Sequence, residues 1–209
     1  MLVTIEGIDG SGKSTLHEAL EHALEDLKPV MTREPGSTWI GDAVRQAIRE
    51  NINPVAEALL FVADHAAHIS TVVIPALKEG GVVISDRFID SRFAYQQVTL
   101  EGFLPDPVSW LMAVHDGWTI IPDLTILLTV PVEVAISRTG IRIEKEHFEE
   151  YNTLESVQKN YLSRVELEPW RFIILDGTMP KEQILTVAEE AIRHKKEITD
   201  KKERKKTRL

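Results

Sequence analysis

Residues 7–14 read Gly-Ile-Asp-Gly-Ser-Gly-Lys-Ser, which fits the pattern G-x-x-x-x-G-K-[ST]. This string constrains the fold more than any other, because it works only between a strand and a helix. The glycines let the backbone curl until several N–H groups face one anion. The helix that follows adds its positive N-terminus. Chance alone yields the pattern in about one of a hundred chains of this length. Here Leu2-Val3-Thr4-Ile5 reads as a strand before it, and a helix is predicted over 13–27 after it. The loop is therefore expected to hold the phosphates of a nucleoside triphosphate, with Lys13 on the outer phosphates and the Ser14 hydroxyl on magnesium.

The rest of the 209 residues alternates in the same way. Apolar runs at 29–32, 81–85, 124–130 and 171–175 predict further strands. Helical spacing predicts helices over 39–50, 54–78, 107–114, 132–138, 149–165 and 181–194. This alternation implies an α/β sandwich around a mainly parallel sheet. In such a sheet the ligand crevice lies beyond the carboxyl ends of the strands. Those ends carry Glu6-Gly7, Arg33-Glu34, Asp86-Arg87, Thr129-Pro131 and Asp176-Gly177.

Composition removes several function classes. The chain has no cysteine, which excludes disulfides, thiolate zinc sites and cysteine nucleophiles. Its net charge is −9, and the last sixteen residues hold eight Lys/Arg against three Asp/Glu. The body is thus strongly acidic, which argues against a broad nucleic-acid surface. The basic segment 194–209 is expected to be a frayed or disordered tail after a single domain over 1–193. No signal peptide is read at the N-terminus, and no apolar stretch was expected to be long enough for a membrane span. A cytoplasmic location is expected.

Within the crevice, Arg33 and Arg87 suggest a second anion site, or else two ordinary salt bridges. On the long helix, Val55, Leu59, Val62, Ala66, Ile69 and Val73 read as the core stripe. Phe61, His65 and His68 read as a neighbouring stripe suited to a flat ring, with Phe61 as peripheral core the alternative. The absence of Asn-Lys-x-Asp argues against guanine recognition, and the length suits a small kinase.

These residues together resemble the thymidylate kinase family of P-loop nucleoside monophosphate kinases. The carriers are the segments 5–15, Thr32-Arg33-Glu34-Pro35-Gly36, Leu59 to Asp64, Ser85-Asp86-Arg87-Phe88, Ser91 with Ala94-Tyr95-Gln96, Pro122 to Thr125, and Arg142-Ile143-Glu144. The resemblance implies a three-layer sandwich, a five-stranded parallel sheet with helices on both faces, and a short lid at about 138–147. It implies transfer of the ATP γ-phosphoryl group to dTMP with Mg2+, giving dTDP for dTTP synthesis, by a homodimer joined through the long helix. ATP would lie on Gly7, Ile8, Asp9, Gly10, Ser11, Gly12, Lys13, Ser14, Thr15 and Arg138. The acceptor would meet Asp9, Arg33, Phe61, Arg87, Ser91, Tyr95 and Gln96, with Phe61 stacked on thymine and Tyr95 blocking a ribose 2′-hydroxyl. Ser14 and Asp86 would organise the metal, and Lys13, Asp86, Arg87 and Arg142 would carry the catalysis. Some relatives place an arginine where this chain has Gly10, so the lid arginines, Arg142 above all, are expected to supply that charge here.

Three positions and the lid depart from the family pattern: Thr129 stands where aspartate is frequent after the fourth strand, and the lid over 138–144 is short, with only two arginines. His65 stands where an arginine usually contacts the base edge, and Arg92 stands where a small hydroxyl residue is common. Arg92 reads equally as a replacement for the missing cation or as a surface salt-bridge partner. Another pyrimidine nucleotide as acceptor, or a non-catalytic nucleotide-binding protein, are the competing readings.

Overall fold

The computed structural model describes the backbone of residues 1–139 and 146–206 and the side chains of 1–139 and 151–201. Five strands form one sheet in the order β2-β3-β1-β4-β5. They are β1 (Leu2–Glu6), β2 (Val30–Arg33), β3 (Val83–Asp86), β4 (Leu124–Thr129) and β5 (Phe172–Asp176). Every pairing is parallel, as the strand–helix alternation implied. All of β1 is buried, on both faces, which is why its sequence shows a continuous apolar run rather than alternation.

Helices cover both faces. On one side α1 (Lys13–Ala23) and α8 (Lys181–Lys206) pack Leu16, Leu20, Ile184, Ala188 and Ile192 against Val3, Ile5, Ile126 and Leu128. The other side takes α2 (Trp39–Glu50), α3 (Pro54–Lys78), α4 (residues 89–99), α5 (Pro107–His115), α6 (Val132–Thr139) and α7 (Glu146–Leu167). Two helix starts are set locally. Thr38 accepts from the N–H groups of Ile40 and Gly41, and Asn53 accepts from Val55 N–H ahead of Pro54. Each cap is worth ~1 kcal/mol.

The structure departs from expectation in four places. The helix after the phosphate loop stops at Ala23 and gives way to a tight 3-10 turn at Glu25–Leu27. Helix α8 runs past His194 to Lys206. Helix α4 was not anticipated, because its centre, Arg92–Gln96, is a π turn that breaks the 3.6-residue period. Helix α3 is long and apolar enough to cross a membrane by composition, with mean hydropathy 1.5 over its best window. Yet it buries Asp64, His65 and His68 against the sheet, as a core helix does.

The stripes of α3 depart in part from the expectation: Ile69 and Val73 are buried in the core as read, but Leu59 is not. Ala58, Phe61, His65 and His68 face inward, while Leu59 is 49% exposed. The reason is polar rather than apolar: Glu34, at the end of β2, accepts from both histidines, so that stripe can be buried fully satisfied.

Between α4, α7 and β5 lies a buried ion pair. Arg171 forks onto Asp90, with Nη1–Oδ2 and Nη2–Oδ1 both 2.7 Å, and Thr125 adds a further bond to Arg171. It anchors the start of α4, which carries the site residues described next.

Candidate active site

The phosphate loop begins where β1 ends. Gly7 (φ 141°), Gly10 (φ 79°) and Gly12 (φ 104°) all take left-handed conformations. A Cβ on Gly7 would come within 2.4 Å of Leu128 O, and one on Gly10 within 2.2 Å of Ala135 O. The loop is thus pressed against β4 and α6, and glycine is required for steric as well as conformational reasons. Lys13 folds back into it, donating to Ile8 O at 2.8 Å, with Asp9 at 3.9 Å. Burial, then the charge of Arg87, pulls the Lys13 ammonium down to about 7. That is the state of a cation awaiting an anion.

A cleft of about 570 Å³ opens over this loop. Lys13, Ser14, Thr15, Arg33, Asp86, Arg87 and Arg138 line it together, although they come from four different segments of chain. Arg138, from α6, holds the loop by donating to Gly10 O (3.3 Å) and Gly177 O (3.0 Å). Arg142 lies outside the described residues. Ser14 Oγ donates to Asp86 Oδ2 at 2.9 Å, and Asp86 Oδ1 is buried with no partner. A hydroxyl and a carboxylate oxygen side by side, one lone pair unclaimed, fit a hard cation such as Mg2+ that completes its shell with phosphate and water. No group of three or more His, Cys, Asp or Glu able to hold a metal occurs among the described residues, so any such ion would depend on the nucleotide.

Arg87 occupies the centre of the acceptor side. It is a non-glycine residue at φ 69°, a strained conformation that persists only when its surroundings impose it. They do: its N–H donates to Ile5 O, and its carbonyl accepts from Ser85 Oγ. The guanidinium donates to Asp9 (2.5 Å), Ser91 (3.1 Å), Tyr95 (3.1 Å) and Tyr161 (3.3 Å). Across the cleft Arg33 is exposed at the end of β2. Ser37 ties down its loop by bonding both the N–H and the carbonyl of Arg33.

Behind Arg33, Glu34 is buried. Burial alone would raise its carboxyl, but the pull of His65 and the hydrogen bonds from His65 and His68 outweigh this and hold it well below the ordinary range. His65 also bonds Thr119 through Nε2 at 2.9 Å, and His68 bonds Thr32 at 2.7 Å. Both ring nitrogens of each histidine are therefore taken, and neither ring is available as a partner for a base. Phe61 is not among the residues lining this cleft: it is only 7% exposed, with the Arg92 guanidinium 4.1 Å above its ring. Gln96 sits one turn from Arg92 on α4 with Oε1 buried and unpartnered. The surface salt-bridge reading of Arg92 is excluded, since the residue is buried.

Glu6 was read only as one of the polar residues at the strand ends, and Tyr161 was not singled out in the sequence at all. Glu6 is fully buried and accepts from Phe88 N–H (2.8 Å), Ser91 Oγ (2.6 Å) and Tyr161 OH (3.0 Å). Tyr161 reaches in from α7 to Ser91 and Arg87. A glutamate closing an otherwise apolar strand was a usable signal for the first. For Tyr161 there was none, because its contacts lie seventy or more residues away in sequence.

Comparison with known proteins places this geometry in context. A family model for thymidylate kinase matches residues 5–187. The probable thymidylate kinase of Methanospirillum hungatei is 65% identical over 205 residues, 98% of this chain and 100% of the relative. That of Methanoculleus marisnigri is 59% identical over 184 residues, 88% of this chain and 90% of the relative. The crystal structure of thymidylate kinase from Ehrlichia chaffeensis superimposes with a TM-score of 0.72 at 26% identity, covering 92% of this chain and 98% of that one. A P-loop α/β sandwich with its cations gathered at the strand ends, matched along nearly its whole length, belongs to the thymidylate kinase family of nucleoside monophosphate kinases.

Proposed function

We propose that this chain transfers the γ-phosphoryl group of ATP to dTMP, giving dTDP and ADP. The observation that carries the reading is the convergence of Lys13, Arg33, Arg87 and Arg138 on one cleft floored by the phosphate loop. The acceptor is a phosphate monoester whose second pKa is about 6, so it already presents an oxyanion at neutral pH. No strong base is required. The obstacle is the mutual repulsion of two polyanions and the charge spread over the transferred group. Cations remove it, and cations are what the cleft supplies.

In this reading the triphosphate lies along the backbone N–H groups of residues 7–15, and Lys13 exchanges Ile8 O for the outer phosphates. Ser14 and Asp86 would hold Mg2+, which would supply charge neutralisation at the donor phosphates. Arg87 and Arg33 grip the acceptor phosphate from opposite sides. Asp9, Tyr95 and Ser91 keep the Arg87 guanidinium aimed at that point, and Asp9 and Tyr95 meet the sugar. Gly10 leaves no side chain over the reacting phosphates, so Arg138 and Arg142 carry that charge from the lid. The enzyme works in the cytoplasm as a homodimer, with the exposed apolar face of α3 as the joining surface.

A steady-state assay across dTMP, dUMP, dCMP, dGMP and UMP tests the reading. It expects dTMP to give the highest kcat/KM, and a better acceptor elsewhere in the panel, or ATP binding without transfer to any, overturns it.

A further inference from the structure

Arg92 is the least explained charge in the molecule. It is 3% exposed, yet Nε and Nη1 have no hydrogen-bond partner. No salt bridge reaches it among the described residues. Its guanidinium lies against the face of Phe61, 4.1 Å from the ring centre. Burial pulls its pKa down, and Glu34 and Glu6 only partly offset this from a distance. A buried guanidinium with unpaired donors is costly, on either the hydrogen-bond or the solvation side. A fold that keeps one on the helix whose Ser91 and Tyr95 hold Arg87 has a ligand group to give it.

The neighbouring unpaired atom narrows what that group is. Gln96 Oε1 is a buried acceptor with nothing to accept from, on the same face of α4 as Arg92. Donors on one side and an acceptor on the other, against an aromatic ring, match a flat molecule whose edge presents an acceptor and then a donor. A 4-oxopyrimidine does so with O4 and N3–H. A cytosine presents the reverse order, an amino donor and then a ring acceptor, and would set donor against donor at Arg92. His65 cannot serve instead, because Glu34 and Thr119 occupy both its nitrogens.

Resting on the dTMP reading above, we infer that Arg92 is the base-reading cation of this site: its N–H groups donate to O4 of the acceptor pyrimidine while Gln96 Oε1 takes the N3 proton. In the ligand-free state the guanidinium rests on Phe61. The entering base takes over that ring face and gives the guanidinium its missing acceptor. The pair selects 4-oxopyrimidine nucleotides over cytosine nucleotides and does not by itself separate dTMP from dUMP.

The test compares the wild-type full chain with Arg92→Met and Arg92→Gln, using dTMP, dCMP and a deoxyribonucleotide of 5-methyl-2-pyrimidinone, which lacks the 4-oxygen. Wild type is expected to favour dTMP over the 4-deoxo analogue by about 10- to 100-fold in kcat/KM. In Arg92→Met that preference should shrink at least several-fold, chiefly through KM, with the remainder kept by Gln96 because the analogue also lacks N3–H, and the dTMP/dCMP ratio should narrow. The melting temperature of ligand-free Arg92→Met should equal or exceed that of wild type, since an unpaired buried charge has been removed. A structural role would instead lower it. An unchanged analogue ratio in the variants, or a lowered ligand-free melting temperature with unchanged dTMP kinetics, overturns the inference. Wild type failing to use dTMP at all overturns the function reading instead, so the two failures are distinct.

Discussion

At the scale of single residues, the site is built from groups held away from their ordinary protonation. Lys13 is the first. Its ammonium is drawn down to about 7 by burial and by Arg87. Triphosphate oxygens reverse that balance, so the bound state favours the charged amine. ATP binding near pH 8 should therefore be accompanied by uptake of part of a proton. Calorimetry in buffers of different ionisation enthalpy measures this directly, and Lys13→Met should abolish it. Glu6 is the second. Burial, and then the charge of Asp90, pushes its carboxyl up to about 7 from 4.5. The folded state thus binds more protons than the unfolded state between those values, and stability falls as pH rises through that window. Glu34 acts with the opposite sign, because its value is lowered, and its contribution is lost as pH falls below about 4.5. Urea unfolding at pH 5 and pH 7.5 should show wild type losing stability between the two, and Glu6→Gln losing markedly less. Equal losses in both proteins would show that Glu6 does not titrate in this range.

At the scale of elements, the acceptor side depends on how closely α2 approaches the loop after β2. Gly41, in the first turn of α2, lies where a Cβ would come within 2.5 Å of Gly36 N and 2.9 Å of Gly36 Cα. These are backbone atoms of the loop that carries Arg33, and they cannot rotate away. Gly41→Ala should push that loop outward, raise KM for dTMP several-fold and leave KM for ATP nearly unchanged. It should also destabilise the fold by about 1–3 kcal/mol, as overpacking does. Steady-state kinetics with each substrate varied in turn will show the split; equal changes in both constants would mean the loop does not shift. The phosphate loop and helix α2 were readable because each follows a local rule: a fixed glycine spacing in one, a 3.6-residue apolar period in the other. Helix α4 was not, since the π turn over Arg92–Gln96 shifts the residues before and after it out of one 3.6-residue period.

At the scale of the whole molecule, the outer side of the first half of α3 has a consequence. Leu59 there is 49% exposed, although Ile69 and Val73 of the same row are buried. An apolar stripe on the outside of a long helix is suited to pairing with a second copy of itself across a two-fold axis. Leu59→Glu should therefore yield a monomer in sedimentation velocity, whereas wild type is expected to sediment as a dimer. If wild type is itself monomeric, the homodimer proposal fails. The buried Asp90–Arg171 pair makes a different kind of long-range link, tying the start of α4 to the β5 end of the chain and so fixing the helix that carries Ser91, Arg92, Tyr95 and Gln96.

The sequence by itself determined the sheet and the donor half of the site. Strands buried on both faces and a loop with required glycines are local properties, written in consecutive residues. It also determined which cations stand at the strand ends, since Arg33 and Arg87 follow their strands directly. The tertiary structure decided what the polar groups of α3 and α4 do. Whether His65 meets a ligand or a glutamate depends on Glu34, thirty-one residues away in sequence. Whether Arg92 is paired or waiting depends on every element packed around it. Periodicity reports which side of a helix is apolar. It does not report whether a polar side chain will find a partner in the interior, and at this site that decides both which stripe of α3 is buried and which cation is left to read the base.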